Sequence, residues 1–135
     1  ILNQSKKYND SARILIAGLA FKGKPRTNDI RNSFAINILN KILVKNSTLE
    51  VKIWDPNLTD NDLGELKYFR LTNFVNYSPE IVLIGNNSDF IYSEEFSNFL
   101  NTNIQSSFII DYWGVSTDLN LPRINGYFFG EKFYD

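Results

Sequence analysis

The 135-residue sequence contains neither cysteine nor histidine. Their joint absence excludes a thiol nucleophile, a Ser-His pair, a haem or iron–sulfur ligand set and the usual zinc sites, since each needs a thiolate or an imidazole. Carboxylates, Lys, Tyr and hydroxyls are the chemistry that remains. Net charge is nearly absent as well: 14 Lys+Arg stand against 15 Asp+Glu, for a total of −1, and the cations are scattered. A nucleic-acid binder needs a basic surface to displace counterions from phosphates, which argues against that partner class. No apolar run approaches the roughly 20 residues of a membrane span, and Ile1–Asp10 is too polar for a signal peptide. A cytoplasmic protein without a membrane partner is therefore the default expectation. Methionine is also missing, which beside a bias toward Asn and Ile predicts an A+T-rich coding sequence and a piece of a longer protein.

What is present suffices for one domain. Hydrophobic residues make up 43% and aromatics 15%, and a chain this long removes about two-thirds of its unfolded surface from water without metal or disulfide staples. Ile1–Ala12 reads as a linker or the end of a preceding segment, and residues 13–135 as the domain. Arg13–Gly18 is a short apolar run bounded by polar residues, the mark of a strand buried on both faces. From Asn32 or Ser33, either a suitable N-cap, Ala35, Ile38, Leu39, Ile42 and Leu43 follow the spacing of an amphipathic helix. That helix ends near Lys45-Asn46. Glu50–Trp54 is a second strand, stopped by the turn Asp55-Pro56-Asn57. Thr59–Lys67 reads as a short helix and Tyr68–Leu71 as a short third strand. Ile81–Ile84 is a buried strand, followed after Asn86-Asn87-Ser88 by a helix carrying Phe90 or Ile91, Phe96, Phe99 and Leu100. Ser107–Asp111 and Gly126–Phe129 complete the strands. This alternation is the βαβ pattern, and it predicts an α/β, Rossmann-like three-layer sandwich with an open, mainly parallel sheet of about five or six strands.

Ligands of such sheets bind beyond the carboxyl ends of the strands, which directs attention to Gly18–Arg31, Trp54–Asn57, Gly85–Asp89 and Asp111–Ser116. Gly18-Leu-Ala-Phe-Lys-Gly23 lacks the tight GxGxxG turn that admits a pyrophosphate, which argues against a dinucleotide site. Gly18 marks either simple packing or a close backbone approach with a special φ. Asp55 stands where dinucleotide folds place a ribose-binding acid, but without the glycine turn a turn-capping role is favoured. Phe21 and Lys22 could stack on a base or sugar and neutralise a phosphate, although the pair alone reads as a core ring beside a solvated cation. Asp29 and Arg31 can order their loop by pairing. Trp113 is core cover or a stacking platform, and Glu94-Glu95 a solvated helix face.

Gly18-Leu-Ala-Phe-Lys22, then Thr27-Asn-Asp-Ile-Arg-Asn-Ser33 opening a helix, then Val51-Lys-Ile-Trp-Asp-Pro56, resemble the C-terminal domain of the UDP-glucose/GDP-mannose dehydrogenase family. Ile81–Gly85, Ile109-Ile110-Asp111 and Tyr127-Phe-Phe-Gly130 agree with later family strands in order, so the likeness spans about Arg13 to Gly130. The resemblance implies a domain that closes over the nucleotide of a UDP-sugar, in an enzyme that oxidises the sugar's C6 alcohol twice with NAD for surface polysaccharide synthesis. It implies that Phe21 and Lys22 contact the nucleotide sugar, that Thr27, Asp29 and Arg31 order the loop, and that Ser33 starts the helix. NAD and the nucleophilic Cys belong to preceding NAD-binding and central domains, so this piece is expected to bind no cofactor and to be inactive alone. A homodimer is expected for the full-length enzyme.

Three features depart from the family pattern. Gly23-Lys24 are extra before the Pro, a feature associated with the branch acting on UDP-N-acetyl-sugars. Asn28 replaces the first Asp of a pair. Trp113 stands where many members carry an Arg that helps hold the nucleotide; as a candidate substrate-binding residue it offers a ring but no charge, which leaves Lys24 or Arg26 to supply one. The competing reading is a non-catalytic Rossmann-like interaction or dimerisation module, in which Phe21, Trp113 and the aromatic C-terminus pack against another domain or subunit.

Overall fold

Short apolar runs that cannot be half-solvated form the centre of the molecule. A computed structural model describes residues 11–45, 48–103, 107–119 and 126–128. Five strands, β1 (Arg13–Ala17), β2 (Glu50–Trp54), β3 (Ile81–Ile84), β4 (Phe108–Asp111) and β5 (Gly126–Phe128), form one parallel sheet in the order β2-β1-β3-β4-β5. The helices are α1 (Phe34–Lys45), α2 (Asp60–Leu63), α3 (Glu94–Asn103) and α4 (Val115–Asp118), with 3₁₀ turns at Gly64–Phe69 and Asp89–Tyr92.

The predicted strand at Tyr68–Leu71 does not form. Tyr68 and Phe69 are taken up in the 3₁₀ turn, so the chain meets β2 only through one Ile53–Arg70 bridge and a 2.7 Å bond from the Leu71 N–H to the Ile53 carbonyl. Ser33, not Asn32, caps α1: its Oγ accepts the Ile36 N–H at 3.0 Å, while Asn32 takes a left-handed φ of 55° just before it. The expected C-cap at Asn46, residues 1–10 of the expected linker and Phe129 lie outside the described residues. Ala12 is buried in the core.

Side-chain alternation sorts the core into two layers. Ile14, Ile16, Ile53, Ile81 and Leu83 face α1, which buries Ala35, Leu39 and Ile42 against them. Leu15, Ala17, Trp54, Val82, Ile84 and Ile109 face the other way, toward Phe96, Phe99 and Leu100 of α3. Trp54 is ringed there by Phe74, Phe90 and Phe96 at centroid distances of 4.8, 5.0 and 5.1 Å. The sheet is thus covered on both faces, as an all-parallel sheet must be.

At the amino edge Arg13 and Glu80 tie β1 to β3. The Arg13 N–H donates to Glu80 Oε2 at 2.7 Å and its guanidinium reaches Oε1 at 2.6 Å. Burial works to raise the Glu80 titration, and the bonds and charge of Arg13 outweigh it, leaving it lowered. The chain runs from β1 outward to β2, then crosses back to β3 on the opposite side of β1. Strand order therefore reverses between β1 and β3, and their carboxyl ends form the topological switch point. Among the described residues no helix is long and apolar enough to cross a membrane.

Phe96 is fully buried and touches three other rings. Phe96→Ala should lower unfolding stability in urea by about 3–5 kcal/mol. Val44→Ala, at an 87% exposed position, should change it by less than about 0.5 kcal/mol.

Candidate functional site

The two chains leaving the switch point are packed backbone to backbone. The Gly85 N–H bonds the Ala17 carbonyl at 2.8 Å, continuing the β1–β3 pairing past its last ladder position. A Cβ on Gly85 would fall 2.1 Å from the Gly18 carbonyl oxygen, and one on Gly18, whose φ is +88°, would fall 2.5 Å from Asn86 Oδ1. Gly18 thus combines the two demands that only glycine meets, a left-handed backbone and a close approach.

Beyond Gly18 the β1 loop has left the sheet and must find other acceptors for its amides. Asp55, at the end of β2 and 4% exposed, provides them. Its Oδ2 accepts the Leu19 and Ala20 N–H groups at 2.8 and 3.3 Å, and its Oδ1 accepts the Asn57 N–H at 3.1 Å. Burial raises the Asp55 titration; these bonds and the charge of Arg70 oppose the rise without cancelling it. The carboxylate caps its own turn and the neighbouring loop, so its oxygens face backbone rather than a ribose. A cavity of about 340 Å³ opens beside it, lined by Trp54, Pro56, Asp60 and Arg70 among others. The Arg70 guanidinium there is committed to Asp60 at 2.6 Å and to the Leu58 carbonyl.

From the β3 side, the buried Asn86 donates its amide to the Ala20 carbonyl at 3.3 Å and accepts the Ser88 N–H at 3.0 Å. Asn87 Oδ1 accepts the Gly23 N–H at 3.2 Å. Lys24 pairs with Asp89 at 3.6 Å and lies 5.0 Å above the Tyr92 ring; the Tyr92 hydroxyl in turn donates to Asp118 Oδ2 at 3.1 Å. The roles of Asn86 and Asn87 escape a reading of the sequence. Its only signal is their place straight after a buried strand.

The remaining site candidates fall on this carboxyl edge. Phe21 is 53% exposed and its N–H bonds the Asp29 carbonyl at 2.7 Å. Lys22 is half-buried and makes no hydrogen bond or ion pair with the described residues. Thr27 Oγ1 accepts the Asp29 N–H at 3.1 Å; Asp29 accepts the Arg31 backbone N–H at 3.0 Å and its guanidinium at 2.9 and 2.8 Å. Trp113, beyond β4, is 38% exposed, with its N–H on Asp111 Oδ1 at 3.0 Å. The ends of β4 and β1 are separated by β3, about 10 Å at the sheet, and the exposed pair Phe34–Tyr112, 4.8 Å between centroids, spans that gap. Among the described residues no group of three or more acidic side chains could hold a metal.

This frame coincides with a sequence match: the profile of the UDP-glucose/GDP-mannose dehydrogenase family, UDP binding domain, covers residues 15–118. The chain belongs to that family. The UDP binding domain shares its fold with the UDP-N-acetyl-mannosamine dehydrogenase Cap5O from S. aureus, at 21% identity over 84% of this chain and 25% of that one, with a TM-score of 0.59. It is likewise similar to UDP-D-ManNAc dehydrogenase from Pyrococcus horikoshii, at 21% identity over 95% of this chain and 28% of that one, with a TM-score of 0.60. The chain thus spans about a quarter of the length of these structures. No curated protein matches it significantly.

Two measurements check the site's geometry. Gly85→Ala must push apart the two backbones and should cost about 2–3 kcal/mol in thermal or urea unfolding. The side-chain and backbone bonds from Arg31 hold the Asp29 carboxyl at about 2. Its folded value lies below the unfolded one, so this contribution is complete above the ordinary carboxylate range and is lost as pH falls toward 2. In Arg31→Ala, which removes the guanidinium but keeps the backbone N–H bond, the NMR titration of the Asp29 carboxyl carbon should rise toward, but stay below, the ordinary value of about 3.9.

Proposed function

We propose that this domain binds the nucleotide part of a UDP-sugar in an NAD-dependent nucleotide-sugar 6-dehydrogenase, which oxidises the sugar's C6 alcohol to a carboxylate for surface polysaccharide synthesis in the cytoplasm. The observation that carries the reading is Lys22: a half-buried cation with no partner among the described residues, beside an exposed ring, at the switch point of a domain of this family. A diphosphate supplies the charge that the protein does not. The Phe21 ring packs on the base or sugar, and Trp113 offers a second ring from β4. Thr27, Asp29, Arg31 and Ser33 order the loop between them. The extra Gly23-Lys24 favours an N-acetylated sugar.

NAD does not fit this domain. The β1 loop has no glycine turn, and the β2 acid is occupied by backbone. The hydride acceptor and the covalent chemistry are assigned to preceding NAD-binding and central domains of the parent, so this piece alone is inactive. The parent is proposed to be a homodimer.

A second reading has its own observation. Phe21, Phe34, Tyr112 and Trp113 are all large, apolar and exposed on one edge, which suits a non-catalytic face packed against another domain or subunit. Calorimetry with UDP separates the two. Lys22→Ala should weaken UDP at least tenfold and flatten the salt dependence of binding, because one phosphate-directed charge is lost. Unchanged affinity removes Lys22 from a nucleotide site and favours the interface. Trp113→Arg should tighten UDP by restoring a phosphate-directed guanidinium.

A further inference from the structure

Between Gly18 and Gly23 nearly every amide is already committed. Gly18 N–H bonds the Trp54 carbonyl at 2.9 Å, Leu19 and Ala20 N–H share the Asp55 carboxylate, Phe21 N–H bonds the Asp29 carbonyl, and Gly23 N–H bonds Asn87 Oδ1. The carbonyl of Ala20 is held by Asn86. The Lys22 N–H is the one amide in this stretch that bonds none of the described residues. Gly23 leaves no slack on its far side, since a Cβ there would lie 2.1 Å from the Ser88 nitrogen and 2.4 Å from the Asn87 carbonyl carbon.

We infer that Asp55, Asn86 and Asn87 are positioning residues that fix the β1 loop before ligand arrives, leaving the Lys22 N–H and ammonium as paired open donors for one anionic group. The inference rests on the UDP reading for the identity of that group and deepens it. Three anchors come from two different strands, β2 and β3, so the loop cannot swing on one neighbour alone. An open amide flanked by bonded ones is a donor held at a set angle, and a fixed donor loses little entropy when it meets a phosphate oxygen. Lys22→Ala removes the ammonium but keeps the amide, so the two donors can be told apart.

The test uses the 135-residue chain, ¹⁵N-labelled, at a temperature where every variant is folded. In the absence of ligand, hydrogen exchange at Leu19, Ala20, Phe21 and Gly23 should be at least a hundredfold slower than at Lys22. Asp55→Ala, which removes the oxygen shared by both amides, should accelerate Leu19 and Ala20 together, and Asn87→Ala should accelerate Gly23. On UDP titration the Lys22 amide should shift most within residues 18–23. Both variants should bind UDP at least fivefold more weakly, while Glu80→Ala, which breaks the Arg13 pair at the opposite, amino edge of the sheet, should lose stability without losing affinity. Fast exchange at Leu19, Ala20 and Gly23 in the wild-type chain overturns the inference whatever UDP does. So does unchanged UDP affinity in Asp55→Ala and Asn87→Ala, and this second result leaves the UDP reading standing. Slow exchange without any response to UDP overturns the UDP reading, and with it the ligand assigned to Lys22.

Discussion

The carboxylate of Asp55 does the work of a missing strand. Where β1 ends, its chain must turn away from the sheet, and the Leu19 and Ala20 amides lose the ladder that would have paired them. Burying them unpaired would cost about 1–3 kcal/mol each. Asp55 prevents this at its own expense, because taking a carboxylate out of water costs several kcal/mol even after relaxation. Its raised titration shows that three N–H donors and a nearby Arg70 do not fully offset the burial. A neutral loop that paired with itself would avoid that cost. The arrangement exchanges some stability for a loop of one shape.

From that exchange the rest of the carboxyl edge follows. With residues 19 and 20 held toward β2, Gly18 must sit directly over Gly85, and any side chain at either place would separate β1 from β3. Ala35 of α1 also packs close to Gly85, so the start of α1 is set by the same contact. The Ser33 cap and the Asp29–Arg31 fork then bring the chain from the loop into that helix. Residues 18–33 contain no helix or strand, yet bonds to β2, β3 and α1 hold them.

The sheet was legible because β1 and β3 at its centre are short runs of Ile, Leu, Val and Ala buried on both faces, and α1 because Ala35, Leu39 and Ile42 keep helical spacing. Tyr68–Leu71 misleads for a physical reason: aromatic and β-branched preference describes a fit to a pleated surface, and Tyr68 and Phe69 are consumed in a 3₁₀ turn before the chain reaches β2. The site was legible in part. The turn residues around Asp55 signal a cap, but not that the cap also serves a loop 35 and 36 residues earlier. Asn86 and Asn87 pair with residues 66 and 64 positions away, and no local pattern encodes such a partner. Family motifs point to Phe21 and Lys22; only the folded arrangement reveals what surrounds them.

On the proposed UDP reading, the chemistry of the β1 loop also limits what it can select. An ammonium and an amide N–H recognise a phosphate on any nucleotide, and ring faces stack on any base. Discrimination between bases needs donors and acceptors aimed at a base edge, and discrimination between sugars needs partners for hydroxyl or acetamido groups. The donors nearest Lys22 cannot serve, because Leu19, Ala20, Phe21 and Gly23 are turned inward to Asp55, Asp29 and Asn87. The same bonds that fix this stretch therefore leave its backbone with little means of selecting a base or sugar. On the proposed UDP reading, choice of base and sugar falls to groups beyond the backbone of residues 18–23, among them Lys24 and the β4 edge around Tyr112 and Trp113, while residues 18–23 contribute a hold on charge.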